Sequence, residues 1–124
     1  LRTSKLSLQA VSLSTMHWRY RPGTFQFTER QMRRRYTKLK RKLFLKGGVD
    51  ILVCHSPAKG INDGEDLPHT GFSVFKEIMT KYKPKYFVHG HVHKAYGHEF
   101  KRYDKFGNTI IVNACERCVI DYEK

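Results

Sequence analysis

Residues 86–100 read YFVHGHVHKAYGHEF, and four of the chain's seven histidines, His89, His91, His93 and His98, fall inside that stretch. Three of them alternate across Gly90 and Val92, directly after an apolar run. Neutral imidazole is the commonest protein ligand for zinc, manganese and iron. The i, i+2 spacing lets His91 and His93 point the same way, and Gly90 is expected to permit the backbone turn that carries them off a strand. A fourth imidazole, His55, closes another apolar run, VDILVCH at 49–55.

The elements between these runs decide whether the histidines meet. SPAKGINDGEDLPHTG is rich in Pro, Gly, Asn and Asp and reads as a loop, long enough to suggest a functional one. FSVFKEIMTKYKP then predicts a helix over 71–83, with Phe72, Phe75, Ile78, Met79 and Tyr82 on one side and Pro84 as its stop. Strand 49–55, helix 71–83 and strand 86–89 form a β-α-β unit, whose crossover length calls for parallel strands joined with right-handed connectivity. Parallel strands end on one edge of the sheet, and sites in α/β folds lie beyond those carboxyl ends. His55, His91 and His93 are therefore read as converging metal ligands. His89 precedes the turn and is read as a strand residue. His98 is assigned to a hairpin surface, His69 stays open between loop packing or capping and a role in the site, and His17 has no distinguishing context.

Upstream, TERQMRRRYTKLKRKLFLKGG predicts a helix with Thr28 as N-cap, Glu29 at its positive end and Gly47-Gly48 as stop. Its buried stripe is Met32, Tyr36, Leu39 and Leu43, surrounded by basic residues that could touch nucleic acid but more often form simply a solvated face. Downstream, HEFKRY and NTIIVNA flank DKFG and predict a hairpin turning at Gly107-Asn108, with CVIDY as a further strand. The CERC pair, Cys115 and Cys118, has no second pair to complete a tetrahedral sulfur site and is read as hairpin-turn cysteines.

A length of 124 residues limits the chain to one domain with a modest core. Twenty-four Lys and Arg against eleven acidic residues give a net charge of +13, a field that attracts phosphates, nucleic acid or other anionic surfaces. The odd cysteine count argues against a secreted disulfide framework, and a cytoplasmic location is expected. No apolar run approaches membrane-spanning length, so no membrane partner is expected. The opening LRTSKLSLQAVSLST is Ser/Thr-rich and acid-free like an organelle transit peptide. That reading is set aside because a chain starting on leucine is expected to be a piece of something longer.

CHSP at 54–57, G-x-N-D-G-E-D followed by H-x-G over 60–71, and GHVH at 90–93 together resemble the C-terminal half of the calcineurin-like metallophosphoesterases. The resemblance runs from about Val49 to Asn113, and RYRPG and TERQMRRR before it are also familiar from that family. It implies an α/β sandwich, here one incomplete domain over 1–124, with a mixed sheet and flanking helices. It also implies hydrolysis of phosphomonoesters or phosphodiesters at a site for two divalent metal ions, manganese, iron or zinc. Carried over, His55 and His91 bind one metal and His93 the other. Two such ions stabilise the charge of an in-line phosphoryl displacement.

The family's D-x-H, G-D-x-x-D and G-N-H-[D/E] motifs are missing from this sequence, and with them a bridging aspartate, an asparagine ligand and a general-acid histidine. SLSTMHWRY stands where relatives carry a glycine-rich turn, with Ser12, Ser14 and Thr15 lacking glycine's freedom. Asp63, Glu65 and Asp66 lie in the loop that follows His55 and are expected to order it. The chain is thus expected to hold about half of an active site and to be inactive alone. The alternative is a small basic nucleic-acid-binding module whose histidines hold a structural zinc, with Tyr20, Phe25, Phe27 and Tyr36 available to stack on bases.

Overall fold

The computed structural model describes residues 10–13 (backbone only), 27–64, 70–92 and 101–122. Its strands are β1 (Ala10–Leu13), β2 (Ile51–Cys54), β3 (Tyr86–His89), β4 (Tyr103–Phe106) and β5 (Thr109–Asn113), and its helices α1 (Glu29–Leu45) and α2 (Ser73–Tyr82). The fold is α/β, a mixed sheet flanked by helices.

The sheet order is β1-β2-β3-β5-β4. Strands β1, β2, β3 and β5 run parallel, and β4 pairs antiparallel with β5 as the predicted hairpin. Gly107 takes φ 58 in the two-residue turn, where a first-position glycine relieves the strain of a positive φ. β1 was not anticipated: its four residues, AVSL, carry too little apolar alternation to stand out from the Ser/Thr-rich opening. CVIDY does not form the expected strand. Residues 118–122 follow β5 without forming a strand, and Tyr122 instead packs on Tyr86, ring centroids 6.0 Å apart, with the Lys85 ammonium 4.7 Å from its ring.

Helix α1 starts and stops where its residues dictate. Thr28 and Gln31 form a reciprocal capping box, the Thr28 hydroxyl accepting from Gln31 N and the Gln31 amide from Thr28 N. At the other end Gly48 N donates to Leu43 O and Gly47 N to Phe44 O, a Schellman motif for which Gly47 supplies φ 76. The predicted stripe is the buried one, with Met32, Tyr36 and Leu43 buried and Leu39 partly so.

Helix α2 has no side-chain cap of its own, since its N-cap is Phe72. The cap arrives from α1: the two carboxylate oxygens of Glu29 accept from Ser73 N and Val74 N, both at 2.9 Å. Glu29 therefore serves the positive end of a second helix as well as its own. Arg33 links the same acid, at 3.4 Å, to Glu77 on α2, at 2.6 Å.

Both helices pack on one face of the sheet, where Leu52, Phe87 and Ile111 stand in register across β2, β3 and β5 and meet Phe72, Phe75, Ile78 and Met79. On the opposite face Ile51, Val53, Val88 and Ile110 remain half-buried. Among the described residues no helix is long and apolar enough to cross a membrane.

Candidate metal centre

The site begins where β2 stops. The Cys54 side chain is buried in the core, so the next residue, His55, leaves the sheet at its carboxyl edge with an exposed ring. The chain then turns through buried Ser56, Pro57 and Ala58. The returning end of the long loop pins that turn, Phe72 N donating to Pro57 O and Lys59 N to Phe72 O. Gly71 makes the approach possible, because a Cβ there would lie 2.4 Å from the Ala58 carbonyl carbon. Asp63 Oδ2 accepts from Gly71 N at 3.0 Å, so this acid orders the loop as expected.

β3 ends one strand over. Gly90 N donates to His55 O at 3.0 Å, tying the two strand ends together. Sequence reasoning assigned the turn to Gly90, but the left-handed residue is His91, with φ 66. Val92 N donates back to Gly90 O at 2.8 Å, closing a three-residue γ-turn centred on His91. The positive-φ form of this turn is rare and strained. Gly90, its N–H bonded to His55 O, does not itself take a positive φ.

The strained turn brings His91 Nδ1 to 3.2 Å from His55 Nε2, with ring centroids 4.9 Å apart and planes inclined at 51°. Two nitrogens each bound about 2.0–2.1 Å from one zinc-like ion, at tetrahedral or octahedral angles, lie roughly 3.0–3.4 Å apart. The pair therefore fits two adjacent corners of one coordination sphere. The same separation suits an N–H···N hydrogen bond between the rings, the form the pair takes with no cation between them.

A buried amide locks this geometry from behind. Asn113, the last residue of β5, donates from Nδ2 to Val92 O at 3.0 Å and accepts at Oδ1 from Cys115 N. Ala114 N donates to His89 O at 2.7 Å. Sequence reasoning passed over Asn113; the signal available was a polar residue closing an otherwise apolar strand, TIIVN.

His89 is a core residue, 1% exposed, with its ring against Phe87. Its Nδ1 lies 3.1 Å from Gly90 O, and burial pulls its pKa down to about 4, so it is neutral with the proton on Nδ1. Its Nε2 has no hydrogen-bond partner among the described residues. His93, the third predicted ligand, lies outside the described residues, as do His17, His69, His98, Glu65, Asp66, Ser14 and Thr15. Among the described residues no three His, Cys, Asp or Glu side chains gather around one point. The CERC cysteines sit after β5 and not in the hairpin turn, and none of the three cysteines is in a disulfide.

No protein-family model matches the chain. It is 33% identical to UPF0046 protein T07D4.2 of Caenorhabditis elegans over 70 residues, which is 53% of this chain and 17% of that protein. The chain thus spans less than a fifth of this relative's length. It superposes on a solved crystal structure with a TM-score of 0.54 at 22% identity, covering 86% of this chain and 40% of that one. At that identity the likeness shows the fold alone.

Proposed function

We propose that the chain contributes part of the metal site of a phosphoric ester hydrolase of the calcineurin-like kind. The observation that carries this reading is the approach of His55 Nε2 to His91 Nδ1 at 3.2 Å, at the carboxyl ends of two adjacent parallel strands. His55 and His91 would hold one divalent ion, and His93, two residues on, a second. Such ions supply positive charge that polarises a phosphoryl oxygen and stabilises the transition state of an in-line displacement.

The protein's own residues then have distinct tasks. His55 and His91 present ring nitrogens, and the γ-turn and the Asn113 clamp hold His91 at its angle. Asp63 is engaged with Gly71 N and keeps the loop closed behind His55. The remaining ligands, a bridging carboxylate among them, would have to come from D-x-H and G-N-H-[D/E] motifs, which these 124 residues do not contain. The odd cysteine count is in keeping with a reducing, cytoplasmic setting.

The test is turnover of an aryl phosphate and an aryl phosphodiester with and without manganese. The 124-residue chain alone is expected to be inactive, and a chain extended upstream to carry the missing motifs to be active and to lose turnover in His91→Ala. Robust metal-dependent turnover by the short chain would sink the half-site reading. An extended enzyme indifferent to His91→Ala would overturn the ligand assignment.

A further inference from the structure

Helix α1 carries eight Lys and Arg residues and one acid. Three of the eight are engaged: Arg33 bridges Glu29 and Glu77, Arg35 lies over the Phe27 ring at 4.6 Å, and Lys40 over the Tyr36 ring at 5.2 Å. The other five, Arg30, Arg34, Lys38, Arg41 and Lys42, are exposed and make no ion pair among the described residues.

Their spacing is ordered. Arg30, Arg34, Lys38 and Lys42 follow one another at i, i+4, about 6 Å apart along the axis, and form a ladder of roughly 18 Å on the face opposite Met32, Tyr36 and Leu43. Lys38 and Lys42, with Arg35 and Leu39, also line a cavity of about 350 Å³ on its flank. Three consecutive like-charge pairs at i, i+4 weaken a helix unless an anion lies along them. The ladder starts beside the N-terminus of α2, through the Glu29 cap, and so at the sheet edge that bears His55 and His91.

We infer that this ladder is a docking surface for the phosphate backbone of a nucleic acid, bound without regard to base sequence. The requirement is a row of anions at regular intervals, which a phosphodiester chain supplies. An anionic membrane fits less well. A helix lying in a membrane interface needs an apolar stripe facing the lipid, and the stripe of α1 is buried in the core. Only Phe44 and Leu45, in the last turn, are exposed apolar side chains of this helix. The inference does not depend on the metal centre.

The experiment is fluorescence anisotropy of the 124-residue chain with a labelled 20-base-pair duplex, between 50 and 200 mM salt. Four neutralised phosphates give a slope of log K against log salt of about −3 to −4. Arg30→Gln/Arg34→Gln/Lys38→Gln/Lys42→Gln should abolish most of that slope, since glutamine keeps the helix. The double Arg34→Gln/Lys38→Gln should remove about half, which protects the test should the quadruple variant unfold. A control of equal charge, Lys59→Gln/Lys76→Gln/Lys81→Gln/Lys105→Gln, should leave the slope intact. Equal loss in ladder and control variants would reduce the effect to net charge and overturn the inference. So would absence of binding at 50 mM salt, or tighter ladder-dependent binding to phosphatidylserine vesicles than to the duplex.

Discussion

His55 and His91 meet Nε2 to Nδ1 at 3.2 Å, and the meeting depends on a γ-turn that holds His91 at φ 66. The strain and the ligand geometry therefore reside in one residue. Replacing His91 with glycine removes both: the metal-free chain should gain up to about 1 kcal/mol, the cost of a non-glycine left-handed residue less the entropy glycine adds to the unfolded chain. The same variant should lose the rise in melting temperature that manganese or zinc gives the parent chain. Thermal melts with metal and with chelator check both halves; an unchanged metal response would remove His91 from the ligand set.

Asn113 positions that turn from the neighbouring strand. Asn113→Ala leaves the Val92 carbonyl and the Cys115 amide unpartnered in a buried setting, at a cost of about 1–3 kcal/mol for each group left unsatisfied. Metal affinity should also fall, because His91 is no longer held against His55. Denaturant titration and metal titration of the variant test the two effects; full stability with full affinity would make the amide dispensable.

Gly71 should tolerate no side chain. Its Cβ would meet backbone of Pro57 and Ala58 at 2.4–2.6 Å, and backbone cannot swing aside as a side-chain tip can. Gly71→Ala is expected to destabilise by about 1–3 kcal/mol, the usual range for overpacking. It should also disturb the His55 ring, because Phe72 N and Pro57 O part. The His55 ring resonances report this directly; unchanged resonances would uncouple the loop from the site.

Buried His89 gives the metal-free chain a pH dependence of definite sign. Its pKa is about 4 in the folded state against an ordinary 6.5, because burial disfavours the charged ring. Between those values the unfolded chain holds a proton that the folded chain does not. The stabilisation is therefore complete above pH 6.5, is lost as pH falls toward 4, and is level below. The shift corresponds to about 3 kcal/mol. Urea midpoints at pH 7, 5.5 and 4, in chelator, should fall more steeply in the parent than in His89→Phe as the pH drops. Parallel curves would refute the assignment.

The β-α-β unit was legible because every signal in it is local: apolar runs of strand length, a helical stripe, Pro84 as a stop. From that topology the convergence of His55 and His91 followed without coordinates. What sequence could not show was which residue bears a constraint imposed from elsewhere. Glycine was the natural candidate for the turn at 90–91, yet Gly90 is held by a carbonyl 35 positions away and it is His91 that takes the left-handed φ. Asn113 showed only as a polar residue closing an apolar strand; that its amide reaches Val92 O, 21 positions away, is a matter of tertiary structure. CVIDY alternates like a strand, but Tyr122 goes to Tyr86 and Lys85 and its backbone goes unpaired.

The Glu29 carboxylate at the start of α2 has a consequence for the order in which the molecule assembles. A ten-residue helix with a phenylalanine N-cap has little tendency to form by itself. Its first amide protons find their acceptor, 44 positions back in the sequence, only after the intervening chain has closed into a loop. Helix α2 is therefore a late, non-local element, unable to nucleate folding ahead of α1. The amides of Ser73 and Val74 should then exchange with solvent at the rate of opening of the whole α1–α2 layer, although they stand at a helix terminus where fraying is the rule.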